Sequence, residues 1–362
     1  MKAYWHKLFE RLQGIEGVDP AGPVLRGAAA GLAFFYGLGA RARWALYHYK
    51  ILKAKRLPVP VVSVGGLTVG GAGKTPMVAC LARLFQAQGK RVAILSRGYR
   101  GLARGVMRVS DGKQIYQKPP QVGEEAYWLA RSLPGVAVYT GASRYAAGMA
   151  AWRDSPPELF LLDDGFQHRQ LHRDLDLVLL DADSPFGNGR LLPRGPLREP
   201  LEVLALAQVL MLTRFAEELH TRQLKALQAT FPDKIVLTAA ISPATARCYP
   251  QGQEQPASAV SGRPLLAFAG LARPSVFIDT LINLGVVLKG IYTFPDHHAF
   301  KPRELQTMVE EAQSRGAEAL ITTAKDWARM AETWEADLPL WVLEVEARLL
   351  QPFPAEVMAR IF

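Results

Sequence analysis

Short apolar runs alternate with longer amphipathic stretches through most of this chain, and the alternation predicts strands separated by helices. Val59 to Val64 is an apolar, largely β-branched run that opens into a glycine-rich loop. Pro76 to Gln88 fits a helix ended by Gly89, with a strand at Arg91–Leu95 behind it. Further strands are expected at Val106–Ser110, Val136–Tyr139, Leu159–Leu162, Leu175–Leu180, Val209–Leu212 and Ile235–Thr238. Glu124–Ser132, Ser143–Trp152 and Ala216–Ala229 read as the helices between them. Continuous apolar strands need cover on both faces, which helices in the connections supply, so the pattern implies a parallel α/β/α sheet.

The character changes at residues 242–263, where prolines 243, 250 and 256 sit in a polar setting; this stretch is expected to be a linker or hinge. Beyond it, Leu265–Ala269, Val287–Tyr292, Ala319–Thr322 and Leu340–Val345 are strand-like, with helices near Pro274–Leu284 and Pro302–Arg315. The division expected is a basic N-terminal segment (1–56), a first lobe (57–241), the linker, and a smaller α/β lobe (264–362). A substrate would sit in the cleft between lobes.

The loop after the first strand reads Thr68-Val-Gly70-Gly71-Ala72-Gly73-Lys74-Thr75. Strand, glycine loop, Gly-Lys-Thr and helix in succession are the local architecture of a nucleoside-triphosphate site. The glycines let backbone N–H groups turn toward phosphate oxygens, and the helix start adds its positive dipole end. Lys74 can reach the β/γ-phosphates and the Thr75 hydroxyl can ligand Mg²⁺. The strict pattern has glycine where Thr68 stands, six residues before the lysine.

The chain has 362 residues, room for roughly two domains, and a net charge of +10. Cys80 and Cys248 stand far apart, which excludes a cysteine-rich zinc site and a disulfide framework and suits a reducing compartment. The N-terminus lacks the order of a cleaved signal peptide. Residues 1–56 carry ten Lys/Arg against three acids, and also the uncharged run Gly27–Ala40. As a helix that run rises about 21 Å, short of the roughly 30 Å hydrocarbon core. With Arg26, Arg41 and Arg43 flanking it and Trp44, Tyr47 and Tyr49 behind, it is expected to lie on a membrane surface rather than span it. Nucleic acid, the other usual partner of a basic segment, would leave the apolar run unexplained.

Asp163-Asp164 follows an apolar strand, where a phosphate-loop enzyme places its Mg²⁺-holding acid; Asp181 ends the next strand and is a rival. His168 and His172 have metal-like spacing without a third ligand. Glu124 and Glu125 open a helix, where an acid serves as general base or simply complements the helix dipole. Phe294-Pro295-Asp296-His297-His298 forms a shaped loop whose Asp-His pair is a base with its orienter, a metal site or a surface turn. The basic loops at Ser96–Arg100 and Arg190–Arg198 offer guanidiniums to phosphates of nucleotide or substrate. Thr323-Ala324-Lys325-Asp326 departs from a guanine-reading motif, so adenine is the expected base.

Taken together these residues resemble the tetraacyldisaccharide 4′-kinase (lipid A 4′-kinase) family of Gram-negative bacteria. The matching motifs are Gly-Lys-Thr-Pro at 73–76, Ser-Arg-Gly-Tyr at 96–99, Asp-Asp-Gly-Phe-Gln-His at 163–168, Gly-Arg-Leu-Leu-Pro through Leu-Arg-Glu at 189–199, Phe-Pro-Asp-His-His at 294–298 and Thr-x-Lys-Asp at 323–326. The resemblance implies a P-loop NTPase-like fold and ATP- and Mg²⁺-dependent phosphorylation of the 4′-hydroxyl of a lipid A disaccharide 1-phosphate. It further implies a peripheral enzyme on the cytoplasmic face of the inner membrane; no nucleic-acid partner is expected, and no sequence feature names an obligate protein partner. The family pairs an aspartate with a histidine of the second lobe as its catalytic dyad. Glu124 takes the aspartate position here, one methylene longer, and His297 is the expected partner, with His298 as alternative. Thr75 with Asp163 or Asp164 would hold Mg²⁺, and Arg97, Arg100, Gln167, His168, Arg194 and Arg198 are the expected substrate contacts. A phosphate-loop switch that hydrolyses nucleotide and a membrane-surface adaptor that merely binds it are the competing classes.

Overall fold

The computed structural model describes residues 23–330, 334 and 338–362. The part of the basic N-terminal segment that falls on residues 1–22 lies outside them. In chain order the first elements are α1 (Pro23–His48), β1 (Val61–Gly66), α2 (Lys74–Ala87), β2 (Val92–Ser96), β3 (Met107–Asp111), α3 (Glu124–Ser132) and β4 (Ala137–Thr140). Then come α4 (Arg144–Asp154), β5 (Leu159–Asp163), β6 (Leu175–Asp181), β7 (Val209–Thr213), α5 (Glu217–Thr230), β8 (Ile235–Tyr249) and β9 (Gln253–Pro256). The chain closes with β10 (Pro264–Ala269), α6 (Pro274–Asn283), β11 (Val287–Thr293), α7 (Pro302–Ser314), β12 (Ala319–Thr323), α8 (Ala324–Met330), β13 (Leu340–Leu349) and α9 (Ala355–Ile361). The apolar runs became strands because each is wholly covered: every residue of β1, β2, β5, β6 and β7 is buried. Burying a Val or Leu side chain is worth about 1.5–3 kcal/mol, so these strands anchor the fold.

The strands form one sheet in the order β11-β10-β12-β13-β8-β7-β6-β1-β5-β2-β4-β3, with β9 hung on β8. Pairing is parallel except at β3/β4, β8/β13 and β8/β9. After β5 the chain crosses β1 and continues on its other side with β6, so β1 marks the topological switch point. Ligands of open α/β sheets bind in the crevice beyond the strand ends at that point. The phosphate loop leaves β1 there.

Apolar side chains gather in separate cores toward the two ends of the sheet, giving two lobes. Residues 242–263 are not the irregular linker their prolines and polar residues imply. They hold the second half of β8, all of β9 and a short 3-10 turn. Pro243 is accommodated because it pairs with Val345 where the β8/β13 register shifts, a bulge at which a missing N–H costs no ladder bond. Nor does the chain stay in the second lobe: β13 runs back beside β8, and α9 places Val357 and Ile361 in the core of the first, where Phe353 and Phe362 meet Phe85 edge-on.

In α1, Ala29, Ala33, Gly37 and Trp44 recur at helical spacing and face the first lobe, while Leu32, Phe34, Phe35 and Leu38 point outward. Among the described residues, no helix is long and apolar enough to cross a membrane.

Candidate active site

The phosphate loop is shaped by Gly70 (φ 110°) and Gly73 (φ 74°), left-handed conformations that favour glycine. An added Cβ at Gly73 would also lie 2.0 Å from Ile241 Cδ1, the end of a side chain that would have to shift. Lys74 and Thr75 then open α2. The segment 190–198 pairs alongside the loop through the Thr68/Leu197 bridge and through Arg198 N–H, which donates to Leu67 O at 2.9 Å. That pairing delivers the Arg198 guanidinium to the loop, where it donates to both oxygens of Asp164 at 2.8 and 2.9 Å and to Gly66 O at 3.1 Å.

The two adjacent acids at the end of β5 have different surroundings. Burial alone would raise the Asp164 carboxyl, but Lys74, 3.9 Å away, and Arg198 hold it down at about 2. Asp163 is buried, with Oδ2 accepting from Ser96 Oγ at 3.2 Å and Oδ1 without a hydrogen-bond partner. Burial first, then the Glu125 and Asp164 carboxylates, push its carboxyl up to about 7. A buried, unpaired carboxylate oxygen that feels the phosphate-loop Lys74 suits a hard divalent cation, which prefers oxygen ligands and keeps part of its water. Asp181, the rival acid, is taken by two guanidiniums, Arg214 and Arg273, each 2.5 Å from Oδ2. Among the described residues no group of three or more His, Cys, Asp or Glu forms a metal cluster, and His172 instead meets Asp174 at 3.4 Å.

Across the cleft, His297 Nδ1 lies 3.2 Å from Glu124 Oε2. Glu124 is placed by Gly123, where a Cβ would lie 2.4 Å from Tyr99 O; only glycine lets the Ser96–Gly101 loop approach the start of α3 so closely. Lys325 Nζ is 3.4 Å from His297 Nε2 and donates to Asp296 Oδ1 at 3.1 Å. Nε2 faces both the Lys325 ammonium and, at 3.6 Å, Asp296 Oδ2; in the tautomer in which Nε2 accepts from the ammonium, Nδ1–H donates to Glu124 and leaves that carboxylate able to take a proton. His298 is engaged elsewhere, stacked on Phe294 and 2.9 Å from Glu304.

The expected substrate residues separate into groups. Gln167 donates to Gly66 O at 2.9 Å and so supports the loop, with Oε1 buried and unpartnered. His168 lies beside Arg144 and Arg97; burial first, then those cations with Arg173 and Arg43, lower its imidazole to about 4. Arg100 donates to His297 O at 3.2 Å. Arg194 lies apart, on a groove of about 330 Å³ between α1 and the 189–202 segment, lined also by Ala33, Phe34, Arg41 and Leu191. The same face of α1 reaches the site loops: Tyr36 donates to Arg198 O at 2.7 Å and Arg43 to Gln167 O at 3.0 Å.

Two site residues escaped the sequence reading. Arg144, 5% exposed, feels both Asp163 and Asp164, yet it opens α4, where a cation opposes the helix dipole. That unfavourable placement is the signal sequence offered. Arg329 lies 3.5 Å from Glu124 Oε2 and also donates to the carbonyls of His298 and Gly270. Its only local sign is its spacing of three from Asp326, which it pairs on the same helix.

The model of the tetraacyldisaccharide-1-P 4′-kinase family matches residues 28–361. The tetraacyldisaccharide 4′-kinase of Geobacter sulfurreducens is 39% identical over 354 residues, covering 98% of this chain and 97% of that one. The enzyme of the same name from an Anaeromyxobacter species is 42% identical over 315 residues, 86% of this chain and 85% of its own. A crystal structure of LpxK from Aquifex aeolicus in complex with ATP superposes with a TM-score of 0.74 at 34% identity, over 93% of this chain and 97% of that one. With a phosphate loop, paired strand-end acids and an acid–histidine contact in place over the matched length, the chain belongs to the tetraacyldisaccharide-1-P 4′-kinase family.

Proposed function

We propose that this chain transfers the γ-phosphoryl group of ATP to the 4′-hydroxyl of a tetraacyl disaccharide 1-phosphate, working at the cytoplasmic surface of the inner membrane. The observation that carries the reading is the meeting of Glu124 and His297 beside the phosphate loop, in a chain of this family.

The loop amides and Lys74 bind the triphosphate, and Arg144 and Arg198 place positive charge where negative charge builds up on the oxygens of the transferring group. Glu124 takes the proton of the sugar hydroxyl as that oxygen bonds to the γ-phosphorus and the β–γ bridging bond breaks. His297 orients the Glu124 carboxylate through Nδ1–H, and Arg329 holds it from the second lobe. A base must lie within about 2.6–3.2 Å of its proton, so these contacts set the reach of the glutamate's longer arm. Thr75 and Asp163 would hold Mg²⁺, which when bound neutralises charge on the β- and γ-phosphates. Asp164 is occupied by Arg198 and Lys74 and acts through them.

Residues 57–241 and the β10–β12 region are taken as the two closing bodies, flexing where β8 and β13 pass between them, so that water is excluded as acceptor. The outward aromatic face of α1 rests in the lipid surface while its inner face reaches Arg198 and Gln167, which brings the site to a substrate held in the bilayer by its acyl chains. Gln167, His168, Arg97, Arg100 and Arg194 are proposed to contact that substrate.

The test is transfer of label from γ-labelled ATP, in detergent micelles, to a tetraacyl disaccharide 1-phosphate, with Lys74→Ala in parallel. Label in the lipid with wild type alone is expected. Phosphate released only to water would overturn the kinase reading in favour of a nucleotide-hydrolysing switch.

A further inference from the structure

On the far side of the phosphate loop from Glu124, three side chains join the second lobe to the loop backbone. Arg273 stands at the N-cap of α6, a helix start set by Pro274, and its Nη1 lies 2.5 Å from Asp181 Oδ2. Arg214 Nη1 reaches the same oxygen at 2.5 Å, and its Nη2 donates to Gly71 O in the phosphate loop. Beside it Thr213 Oγ1 donates to Ala72 O at 3.0 Å. Arg214 has φ 55°, a left-handed conformation costly for a long side chain, and such strain persists only where surrounding contacts hold it.

We propose that Arg273 is a positioning residue for the phosphate loop: by holding Asp181 from the second lobe it sets Arg214 against the Gly71 carbonyl and so fixes the loop in its nucleotide-binding shape. The peptide unit is planar and its C=O and N–H point opposite ways. Holding the carbonyls of Gly71 and Ala72 from behind therefore fixes the direction of the N–H groups that follow: that of Ala72, which donates to Gly70 O at 3.0 Å within the loop, and that of Gly73. Asp181 is the shared joint. Its side chain is 9% exposed, Arg214 is 20% exposed, and Arg273 is the most open of the three at 35%. Asp183 flanks the joint, 3.9 Å from Arg273 and 3.0 Å from His220, which is buried against the start of α5. Movement of the second lobe away from the first parts Arg273 from Asp181 first, and leaves Arg214 with the carboxylate to itself. Loop shape, and with it affinity for the triphosphate, is thereby tied to the position of the second lobe. This role is separate from the proton transfer at Glu124, which lies on the opposite flank and is reached by a different segment of the second lobe.

The inference rests on the reading that the loop holds ATP, and the experiment separates the two. Wild type, Arg273→Gln, Arg273→Lys, Asp181→Asn and Lys74→Ala are compared for the KM of ATP, the KM of the lipid acceptor, kcat, and ATP binding measured directly by calorimetry. Arg273→Gln and Asp181→Asn are expected to raise the KM and Kd of ATP at least about fivefold, the low end of coupling between sites, with the lipid KM unchanged. Arg273→Lys, which keeps the charge, restores most of the affinity. An ATP Kd for Arg273→Gln equal to wild type, with Lys74→Ala impaired, overturns the positioning role, as does a lowered melting temperature with unaltered ATP binding. If Lys74→Ala itself binds ATP as wild type does, the reading of the phosphate loop fails instead.

Discussion

His297 meets Glu124 across 173 positions of sequence, with Nδ1 3.2 Å from Oε2 and the two side chains 14% and 15% exposed. A carboxylate held in this way, accepting from a histidine and close to the Arg329 guanidinium, has one orientation rather than many. Glu124→Gln is expected to lower kcat by about 10²–10⁴-fold, the usual worth of a positioned general base, with the KM of ATP little changed. His297→Ala should act through the same step, so the double variant is expected to be scarcely slower than Glu124→Gln alone. Steady-state kinetics at saturating ATP decide this; full additivity would show that the two residues work separately.

Gly123 gives a second handle on the same group. Its φ of −66° suits any residue, so alanine adds no backbone strain there. The added Cβ would nonetheless lie 2.4 Å from Tyr99 O and 3.1 Å from the Gly98 carbonyl carbon, both backbone atoms. Gly123→Ala is expected to shift the start of α3 and lower kcat by about tenfold or more, because displacements of about 1 Å at a reacting group cost up to 10²-fold. Direct ATP binding should persist. A variant with unchanged kcat would show that the loop yields without moving Glu124.

The His168 imidazole supplies the pH signature. Its folded value of about 4 lies below the ordinary 6.5, through burial and then through Arg144 and its neighbouring cations. The unfolded chain binds this proton more readily, so the residue's contribution to stability is complete above pH 6.5 and is lost as pH falls through about 4. His168→Gln is therefore expected to soften the fall in melting temperature between those limits. Arg144→Gln should move the imidazole's titration upward, toward 6.5. Proton NMR of the imidazole reads both, and a wild-type midpoint at or above 6.5 would contradict the assignment.

Phe34 and Phe35 are 68% and 70% exposed on α1, while Ala29 and Ala33 on its inner face are 3% and 9% exposed. If the outer face enters a lipid surface, replacing both phenylalanines with serine removes apolar area worth up to about 1.5–3 kcal/mol each. Sedimentation with vesicles containing anionic lipid should then fall roughly tenfold or more, with ATP binding intact. Equal sedimentation of variant and wild type would rule out this face as the anchor.

Much of this was legible in the amino-acid order, because it depends on neighbours in sequence. A β-branched apolar run followed by glycines at 70, 71 and 73 and Lys74-Thr75 specifies a strand, a loop with left-handed positions and a helix start, and these are what form. Glu124–Ser132 is a helix over the span its pattern predicts, and the strands deviate mainly at their ends. The misreading at 242–263 came from the same local logic. Pro243 breaks a strand pattern unless a partner strand offers it a bulge, and that partner, β13, lies about a hundred residues further on.

Outside 242–263, local pattern alone therefore determined the elements, the phosphate loop and the acids at the strand ends. Only the tertiary structure decided which of them are available. It occupied Asp181 with Arg214 and Arg273, gave Asp164 to Arg198 and Lys74, and left Asp163 Oδ1 without a partner. It turned His297 toward Glu124 and His298 into a stack with Phe294, although the two histidines are adjacent in the chain. It also brought in Arg144, whose place at a helix start is its one local sign, and Arg329, marked only by its spacing of three from Asp326. The reason is that a side chain's charge state and partner are set by whatever lies within a few ångströms of it. In a sheet with crossovers, those neighbours come from segments whose separation along the chain carries no record of their separation in space.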